Sequence, residues 1–394
     1  MSLLPEGLFG DAKLYNKLVL VFFTADNCKI CNSLEDNLNK IPIVTKYILV
    51  KVNADEYPNY FVRLSRGVIP TLTVLTPDME IGGVIESSDI SFIENALREI
   101  YDSYYNRKSL LTSRISPLEG TPMDFDVQNL VYNVIDNLLS GAPADFRTVE
   151  LYRFYSKIYP EYQKELRKLN PLDDVARYLK SGADVNIDDN YAINVALKYL
   201  YLGKGGDKVV EFVNSDGSVY RSLRKQMKGL LSDEAIIGSS LISLYQDTFD
   251  EKYLKLALSI YDYVKSNLYY GEAYLDSPKT DPITSIPYVD PLANSEFAIF
   301  LSRLYLVAGD EKFKQESLNV SKIVMGIAGN NYRIQARVSI AYLKSNYGIK
   351  SLKKEEDDIR VERIKELMCE QGYIYQDLNG KCYKGLNEIE FTVF

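Results

Sequence analysis

Residues 18–31, which read LVLVFFTADNCKIC, decide the fold of the first part of the chain. The apolar run 18–23 is continuous, which is typical of a strand buried on both faces. A polar turn follows, and apolar residues then recur at helical spacing over 34–41. The pattern predicts that Cys28 and Cys31 lie at the junction of a buried strand and the first turn of a helix.

This position favours Cys28 as the more reactive cysteine. The unpaired N–H groups of a helix N-terminus stabilise a thiolate, and the neighbouring Lys29 adds positive charge, so both are expected to lower the pKa of Cys28. Cys31, one turn later, is suited to resolve a mixed disulfide. Two alternatives stay open: a retained fold without the activity, and a four-cysteine zinc site that also uses Cys369 and Cys382.

The first hundred residues continue to alternate strand and helix. Pro70 opens one strand, at one of the few places where a strand tolerates proline. The pattern predicts strands over 47–52, 71–75 and 80–86, the last at a sheet edge, and helices over 57–65 and 89–105.

This order of elements resembles a thioredoxin-like domain over residues 8–106. The diagnostic pieces are the Cys-x-x-Cys motif and the segment Ile69-Pro70-Thr71. The resemblance implies a cis Ile69–Pro70 peptide bond beside the dithiol. The chain departs from the family at Phe22, where thioredoxins usually carry a buried aspartate, and at Thr24, where they usually carry an aromatic residue. The residues that the resemblance marks as catalytic are Cys28, Cys31 and Pro70.

Composition restricts the chemistry. The chain has 394 residues and a net charge of −8, which argues against nucleic acid as the main partner. It contains no histidine, which excludes Ser-His-Asp and Cys-His catalysis and histidine-ligated metals. We therefore expect no metal and no cofactor. The absence of Trp beside 32 Tyr indicates a biased composition, such as that of a thermophile.

The sequence also bears on the compartment. No run approaches the roughly 18 apolar residues of a membrane helix. The first 23 residues lack a basic region followed by an apolar stretch and a cleavage site. We expect a cytoplasmic protein that does not engage a membrane.

The remainder of the chain is predicted to be helical. Residues 107–122 are rich in Ser, Pro and Gly and are the best linker candidate. A pattern of an apolar helix end, an acidic turn and a new helix occurs at 241–253 and again at 301–313. Such helical hairpins cannot bury a face alone, so copies must stack or close into a ring. Helices are predicted near 124–140, 146–158, 161–169, 172–180, 190–202, 229–247, 251–268, 291–308, 311–328, 331–345 and 356–368.

With this repeat, the whole chain resembles the spermatogenesis-associated thioredoxin-domain proteins, in a shortened form. That family joins an N-terminal thioredoxin-like domain to a C-terminal α/α toroid related to N-acylglucosamine 2-epimerases. The resemblance implies an α/β domain over 1–106, a linker over 107–122, and over 123–394 an all-α toroid with a short C-terminal hairpin. Its six-hairpin ring, as in related glycosidases, would be incomplete or distorted, because the chain has room for roughly ten to eleven helices there. The segments that carry the resemblance are Cys28–Cys31, Val52–Pro58, Leu72–Asp78, Val219–Ser222, Gly229–Ala235 and Pro291–Ser295.

A toroid of this family places its substrate site where loops converge over the central cavity. Arg221 could hold a carboxylate or sugar hydroxyls through its fork of donors. Asp233 or Glu234 could act as general acid or base, although both are also ordinary residues for the start of a helix. The residues that the resemblance marks as substrate-binding are Tyr220, Arg221, Asp233, Glu234, Asn294 and Glu296.

The C-terminal region carries two further patterns. Residues 350–366 contain 12 charged side chains of both signs among 17, which is typical of a solvated helix or linker. Between Cys369, expected at a helix end, and Cys382, a Tyr-Ile-Tyr run and Asn379-Gly380 predict a hairpin. A structural disulfide between these cysteines is expected if the protein is thermophilic, and two free thiols otherwise.

Three functions stay open. The first is a thiol–disulfide oxidoreductase whose toroid recognises a protein dithiol or disulfide substrate. The second is a carbohydrate-type enzyme or binding module in the toroid, with a small carbohydrate-like ligand and a structural thioredoxin-like domain. The third is a non-catalytic interaction protein.

Overall fold

The computed structural model describes residues 7–393 and divides into two compact units. The first unit comprises the described chain up to Pro117 together with the inserted segment Ser277–Pro287. The second comprises Leu118–Asp276 and the chain from Tyr288 onward. The division at 117 falls inside the predicted linker, whereas the return of residues 277–287 to the first unit was not predicted.

The first unit is built on a mixed four-stranded sheet in the order β2-β1-β3-β4. Strand β1 is parallel to β2 and antiparallel to β3, and β4 is antiparallel to β3 at the edge. The predicted strands, including the edge strand, are confirmed. The elements are α1 Leu8–Leu14, β1 Val19–Thr24, α2 Lys29–Leu38, β2 Ile48–Asn53, α3 Pro58–Leu64, β3 Thr71–Leu75, β4 Ile81–Ile85 and α4 Ile90–Tyr105.

Both faces of β1 are buried, as its continuous apolar run predicts. Because strand side chains alternate, Leu20 and Phe22 join one apolar cluster, whereas Val21 and Phe23 join another on the opposite face. Each cluster is completed by helices packed on that side of the sheet. The strand therefore anchors the loop that carries the Cys-x-x-Cys motif.

The inserted segment supplies part of this core. Ile283 is 0% exposed and lies in the same cluster as Phe23. The guanidinium of Arg63 donates to the carbonyl of Ile286 at 3.1 and 3.3 Å, and the Tyr60 hydroxyl donates to Asp281. The first unit is thus completed by residues that lie more than 150 positions further along the chain.

We expect Ile283→Ala to destabilise the first unit by about 2–5 kcal/mol, because it leaves a cavity in a packed core. Hydrogen exchange of β1 amides should speed up accordingly. Val62→Ala, at a side chain that is 38% exposed, is the control and should change exchange little. Equal rates for the two variants would show that the segment is a surface attachment.

The second unit is mainly helical, and the predicted helices from 124 to 345 are confirmed except near 161–169. There the chain makes a 3₁₀ turn over Pro160–Tyr162 and only one further helical turn. The helices are α5 Val127–Leu139, α6 Phe146–Ile158, α7 Gln163–Leu166, α8 Asp174–Ser181, α9 Ala192–Leu202, α10 Gly206–Val209, α11 Leu231–Thr248, α12 Glu251–Asn267, α13 Pro291–Ala308, α14 Glu311–Ala328 and α15 Tyr332–Tyr347. Short strand pairs are β5 Pro143–Ala144 with β6 Asn170–Pro171, and β7 Tyr269–Tyr270 with β8 Ala273–Tyr274.

Six helices pack neighbour to neighbour in a closed circuit, in the order α6, α8, α9, α11, α13, α15 and back to α6. Helices α12 and α14 pack outside α11 and α13, and α5 packs outside α15. The repeated pattern lies in α11–α12 and α13–α14. Asp250 and Asp310 cap the second helix of each pair, each accepting a backbone N–H at 3.0 Å. Most of the buried charges described below lie on helices of this circuit.

The prediction of a solvated helix near 356–368 is wrong. Residues 349–383 form a small four-stranded sheet in the order β10-β9-β11-β12. Asp358, Arg360 and Glu362 are all buried, the first two in a turn and Glu362 in the short strand that follows it. Asp358 and Arg360 pair with each other at 2.8 Å. The partners of Glu362 are Arg303, Lys344 and Gln246, which a local charge pattern does not reveal. The strands are β9 Ile349–Ser351, β10 Val361–Arg363, β11 Tyr375–Asp377 and β12 Cys382–Tyr383.

The predicted C-terminal hairpin is confirmed. Strands β11 and β12 pair antiparallel around Asn379-Gly380, and Gly380 has a φ of 84°, which favours glycine. Cys369 and Cys382 form a disulfide. Cys369 lies in the loop between β10 and β11, not at a helix end as predicted, because no helix precedes it there.

Candidate functional site

The Cys28–Cys31 pair forms a disulfide at the start of α2. Cys28 is the N-cap, and its sulfur accepts the backbone N–H of Cys31 at 3.1 Å. Cys31 is 0% exposed and packs in the core beside Leu34, whereas Cys28 is half-buried. An incoming thiol can therefore reach Cys28 and not Cys31.

The loop before the motif is held by a polar network. The Asn53 amide donates to the Asp26 carboxylate at 2.7 Å, and the Asp26 backbone N–H donates to the Asp55 carboxylate at 2.7 Å. The Asn53 carbonyl oxygen in turn accepts the Asp55 backbone N–H at 2.9 Å. These bonds tie the end of β2 to the turn that presents Cys28. These residues do not stand out in the sequence, because Asp and Asn in loops are common in any protein.

The Ile69–Pro70 bond is cis, as the resemblance implied. Pro70 is buried, and Ile69 packs against the same apolar cluster as Cys28. All three residues marked as catalytic thus belong to the first unit and to elements around one core.

In the second unit, the structure brings Arg221 and Asp233 together. The guanidinium donates to the Asp233 carboxylate at 2.7 Å, and the carboxylate is 0% exposed. Tyr220 lies beside Arg221 on a short hairpin, where its backbone bridges to Lys228. The guanidinium of Arg221 also lies 5.4 Å from the ring centre of Tyr191. The hairpin therefore sets these polar groups against the first turn of α11.

Glu234 is buried in the first turn of α11. Its Oε1 accepts the backbone N–H of Val219 at 2.8 Å, while its Oε2 has no hydrogen-bond partner among the described residues. Burial raises the pKa of Glu234 well above its ordinary value, and the nearby carboxylates of Asp233 and Asp216 add to the rise. Burial and the neighbouring carboxylates therefore both favour the protonated form of this side chain.

We expect Glu234→Gln to stabilise the protein relative to wild type as pH rises. The folded-state pKa is raised, so wild-type stability is complete below the ordinary value of 4.5 and declines as pH rises toward the folded-state pKa. The advantage of the glutamine variant should grow by up to about 1.4 kcal/mol per pH unit in that window. The difference in Tm between the two proteins, measured at about pH 5 and about pH 8, checks this. The exposed Glu366→Gln should show no such trend, and a constant difference for Glu234→Gln would contradict the prediction.

The other two predicted residues are engaged inside the second unit. The Asn294 side chain accepts the backbone N–H of Tyr274 at 3.0 Å and donates to its carbonyl at 2.8 Å, so it pins β8 to α13. Glu296 is 4% exposed and accepts from Arg147 at 2.7 Å and from Arg337 at 2.6 Å. Burial raises the pKa of Glu296, but the two guanidiniums outweigh burial and hold the pKa below its ordinary value.

Sequence reasoning missed the partners of Glu296. Arg337 is 5% exposed on α15, and it also donates to Glu150 on α6. Glu150 accepts the hydroxyl of Tyr201 at 2.7 Å. The available signal was a charged residue with apolar neighbours inside a helix, as at Glu296 on α13. Such a charge needs a partner when it is buried.

Metal-binding clusters and membrane-spanning helices are both absent from the described residues. Over residues 7–393, no group of three or more Cys, Asp or Glu side chains is arranged to hold a metal ion. The cysteines expected in the zinc alternative lie instead in two separate disulfides, one in each unit. No helix within the same range has the length and apolarity needed to span a membrane.

Comparison with known proteins finds one weak structural similarity and no sequence match. No family model and no curated protein matches the sequence. Among solved structures, the chain is similar to a family 76 glycoside hydrolase from a bovine Bacteroides thetaiotaomicron strain, with a TM-score of 0.32 and 9% identity. The match covers 69% of this chain and 70% of that one. A similarity of this size carries no argument about function.

Proposed function

We propose that the first unit carries out thiol–disulfide exchange at Cys28 and Cys31. The observation that carries the proposal is the asymmetry of the pair: Cys28 is half-buried at a helix N-terminus, and Cys31 is fully buried one turn later. A thiolate at Cys28 is favoured by the helix N-terminus and by the N–H that already points at its sulfur. This asymmetry assigns attack to Cys28 and resolution to Cys31.

The exchange balances without a cofactor. In the oxidised form, a substrate thiolate attacks the Cys28 sulfur, a mixed disulfide forms, and the Cys31 thiolate leaves and takes up a proton. The second substrate thiol then attacks the mixed disulfide and releases Cys28. The substrate dithiol loses two electrons and two protons, and the Cys28–Cys31 disulfide gains them. A reduced pair runs the same steps backward on a substrate disulfide.

The architecture of the first unit supports this proposal. Its strand order and directions are those expected of a thioredoxin-like domain, with the motif following the central strand β1. The cis Ile69–Pro70 bond agrees with the same assignment. Phe22, in place of the usual aspartate, leaves no carboxylate at that position to relay a proton. Because of this, we expect Cys31 to exchange its proton slowly and the overall rate to be modest.

Trapping tests the proposal. In Cys31→Ser, oxidised glutathione should form a stable mixed disulfide on Cys28, because the resolving thiol is gone. Cys28→Ser leaves only a buried thiol and should not react. Peptide mass mapping locates the adduct. An adduct on Cys31 in the Cys28→Ser protein would contradict the assignment of roles.

We infer a second candidate function for the second unit, a carbohydrate-type binding module on a shortened α/α toroid. The closed circuit of six helices supports the toroid. The hairpin sets Tyr220 and Arg221 against α11, and the Arg221 guanidinium also lies near the ring of Tyr191. These features support a polar ligand, because a guanidinium and an aromatic ring together suit sugar carboxylates and hydroxyls. Oligosaccharide array binding that is lost in Arg221→Ala but kept in Lys225→Ala is the expected result. Binding lost in neither variant would exclude this site.

A further inference from the structure

One arginine of the second unit has no acidic partner among residues 7–393. Arg333 is the second residue of α15 and is half-buried. Its Nε is shut off from solvent and finds no hydrogen-bond acceptor among these residues. The guanidinium carbon lies 5.7 Å from the ring centre of Tyr332, and a ring does not neutralise the charge. Because a buried donor without an acceptor costs free energy, a ligand that supplied an acceptor would bind favourably.

The place of Arg333 in the helix is also unfavourable for a cation. The N-terminus of a helix carries a partial positive charge from its unpaired N–H groups. The first turn of α15 contains no acidic residue that would offset this charge. The backbone N–H of Tyr332 has no acceptor within the described part of the chain. One anion would therefore stabilise both the guanidinium and the helix end.

These groups line a cavity at the turn between α14 and α15. Its volume is about 540 Å³, and it is open to solvent. Volumes of roughly 300–1,000 Å³ are typical of sites for small molecules. Ile327 and Ala328 give the wall an apolar part, and Asn330 and Asn331 border it as well. The cavity thus combines one cation with space for an organic group.

Contacts to neighbouring elements hold the cavity in shape. The Gln335 side-chain amide donates to the carbonyl of Gly329 at 2.6 Å and accepts from Asn133 on α5 at 2.5 Å. The Tyr332 hydroxyl donates to the carbonyl of Pro143 in β5 at 2.6 Å. The turn is therefore tied to two other elements of the same unit. Such preorganisation lowers the entropy cost of binding a ligand.

We propose that Arg333 and the N-terminus of α15 bind the phosphate group of a small molecule. A guanidinium donates two parallel hydrogen bonds to phosphate oxygens, and a helix N-terminus adds backbone N–H donors. A phosphate has three terminal oxygens, enough for the guanidinium and the N–H of Tyr332 together, whereas a carboxylate has two. The proposal is independent of thiol–disulfide exchange at Cys28 and of the site at Arg221, because it uses other residues.

Calorimetric titration with inorganic phosphate at fixed ionic strength tests the site. The wild-type protein should bind phosphate, and Arg333→Ala should weaken the affinity at least about tenfold, because the charged fork is removed. Arg167→Ala is the matched control, since Arg167 is an exposed arginine of the same unit, just after α7, and its loss should leave the affinity unchanged. Equal weakening in the two variants, or no binding to the wild-type protein, would overturn the proposal.

Glucose 6-phosphate and glucose then identify the source of the phosphate. Tighter binding of glucose 6-phosphate than of inorganic phosphate identifies a phosphate ester as the ligand, and equal affinities identify the free anion. Both results support the site. Glucose should not compete with phosphate, because it carries no anion. Competition by glucose would overturn the proposal.

Hydrogen exchange of the wild-type protein gives a readout that needs no variant. Bound phosphate should slow amide exchange at 331–335, where the N–H groups at the start of α15 lie. The start of α12, at 251–255, is an internal control, because Asp250 already caps it and Glu251 already places an acid in its first turn. Slowed exchange at 251–255 without any change at 331–335 would place the anion elsewhere and overturn the proposal.

Discussion

Replacing Glu296 with alanine is expected to destabilise the second unit by about 3–5 kcal/mol, because removing one partner leaves buried charges uncompensated. Glu296 accepts from Arg147 and Arg337, and Arg337 is nearly inaccessible to water. Without Glu296, Arg337 keeps only Glu150, and Arg147 keeps Asp145 at 3.2 Å. Urea unfolding followed by the helical circular dichroism signal measures the change.

A matched substitution separates burial from charge. Glu94 lies on α4 and pairs with Arg98 on the surface, where an ion pair contributes about 0.3–0.5 kcal/mol. Glu94→Ala should therefore shift the unfolding midpoint only slightly. The pair of variants differs in burial and in the number of partners, not in the chemical group removed. If Glu296→Ala unfolds at the same urea concentration as Glu94→Ala, the buried network does not hold the helices together.

Replacing Cys28 with serine is expected to lower the rate of thiol–disulfide exchange by at least about 1,000-fold, because the attacking atom is lost. Cys31 cannot substitute for it, since Cys31 is fully buried within the apolar core of the first unit. The rate of electron transfer from dithiothreitol to oxidised glutathione, with and without the protein, provides the assay.

The control for this prediction is the other disulfide. Cys369→Ser/Cys382→Ser removes two sulfurs from the second unit and leaves the first unit intact. Its catalytic rate should equal that of wild type. Residual activity in Cys28→Ser that disappears when Cys369→Ser and Cys382→Ser are added to that variant would move the reaction to the C-terminal sheet and refute the proposed function.

Local patterns in the sequence predicted most of the secondary structure. The run of apolar residues before Cys28 is confirmed as the fully buried β1, since a strand packed on both faces needs apolar residues at every position. The paired helices of the repeat are confirmed as α11–α12 and α13–α14, since caps and apolar periodicity are local signals. The sequence also revealed the Cys28–Cys31 site, because its two reactive groups are close in sequence. A Cys-x-x-Cys pair at the start of a helix lies within one helical turn, independently of the rest of the fold.

The charged residues of the second unit could not be placed in the same way. Asn294 and Glu296 sit in a motif of the resembled family, yet the structure engages them with the backbone of Tyr274 and with two arginines. A carboxylate on an apolar helix has the same sequence signature whether it faces a ligand or a buried guanidinium. Only the partner distinguishes the two, and the partners of Glu296 lie 41 and 149 residues away.

The sequence by itself determined where the strands of the first unit and most of the helices lie, which cysteine caps a helix, and where the C-terminal hairpin turns, because each depends on residues within a few positions of one another. The tertiary structure alone decided that residues 277–287 complete the first unit. It also decided that Glu362, from the charged run 350–366, lies between Arg303 and Lys344 and accepts hydrogen bonds from both. Both are long-range pairings. Their energy comes from burying Ile283 or neutralising a desolvated charge, and neither term can be evaluated until the distant partner is in place.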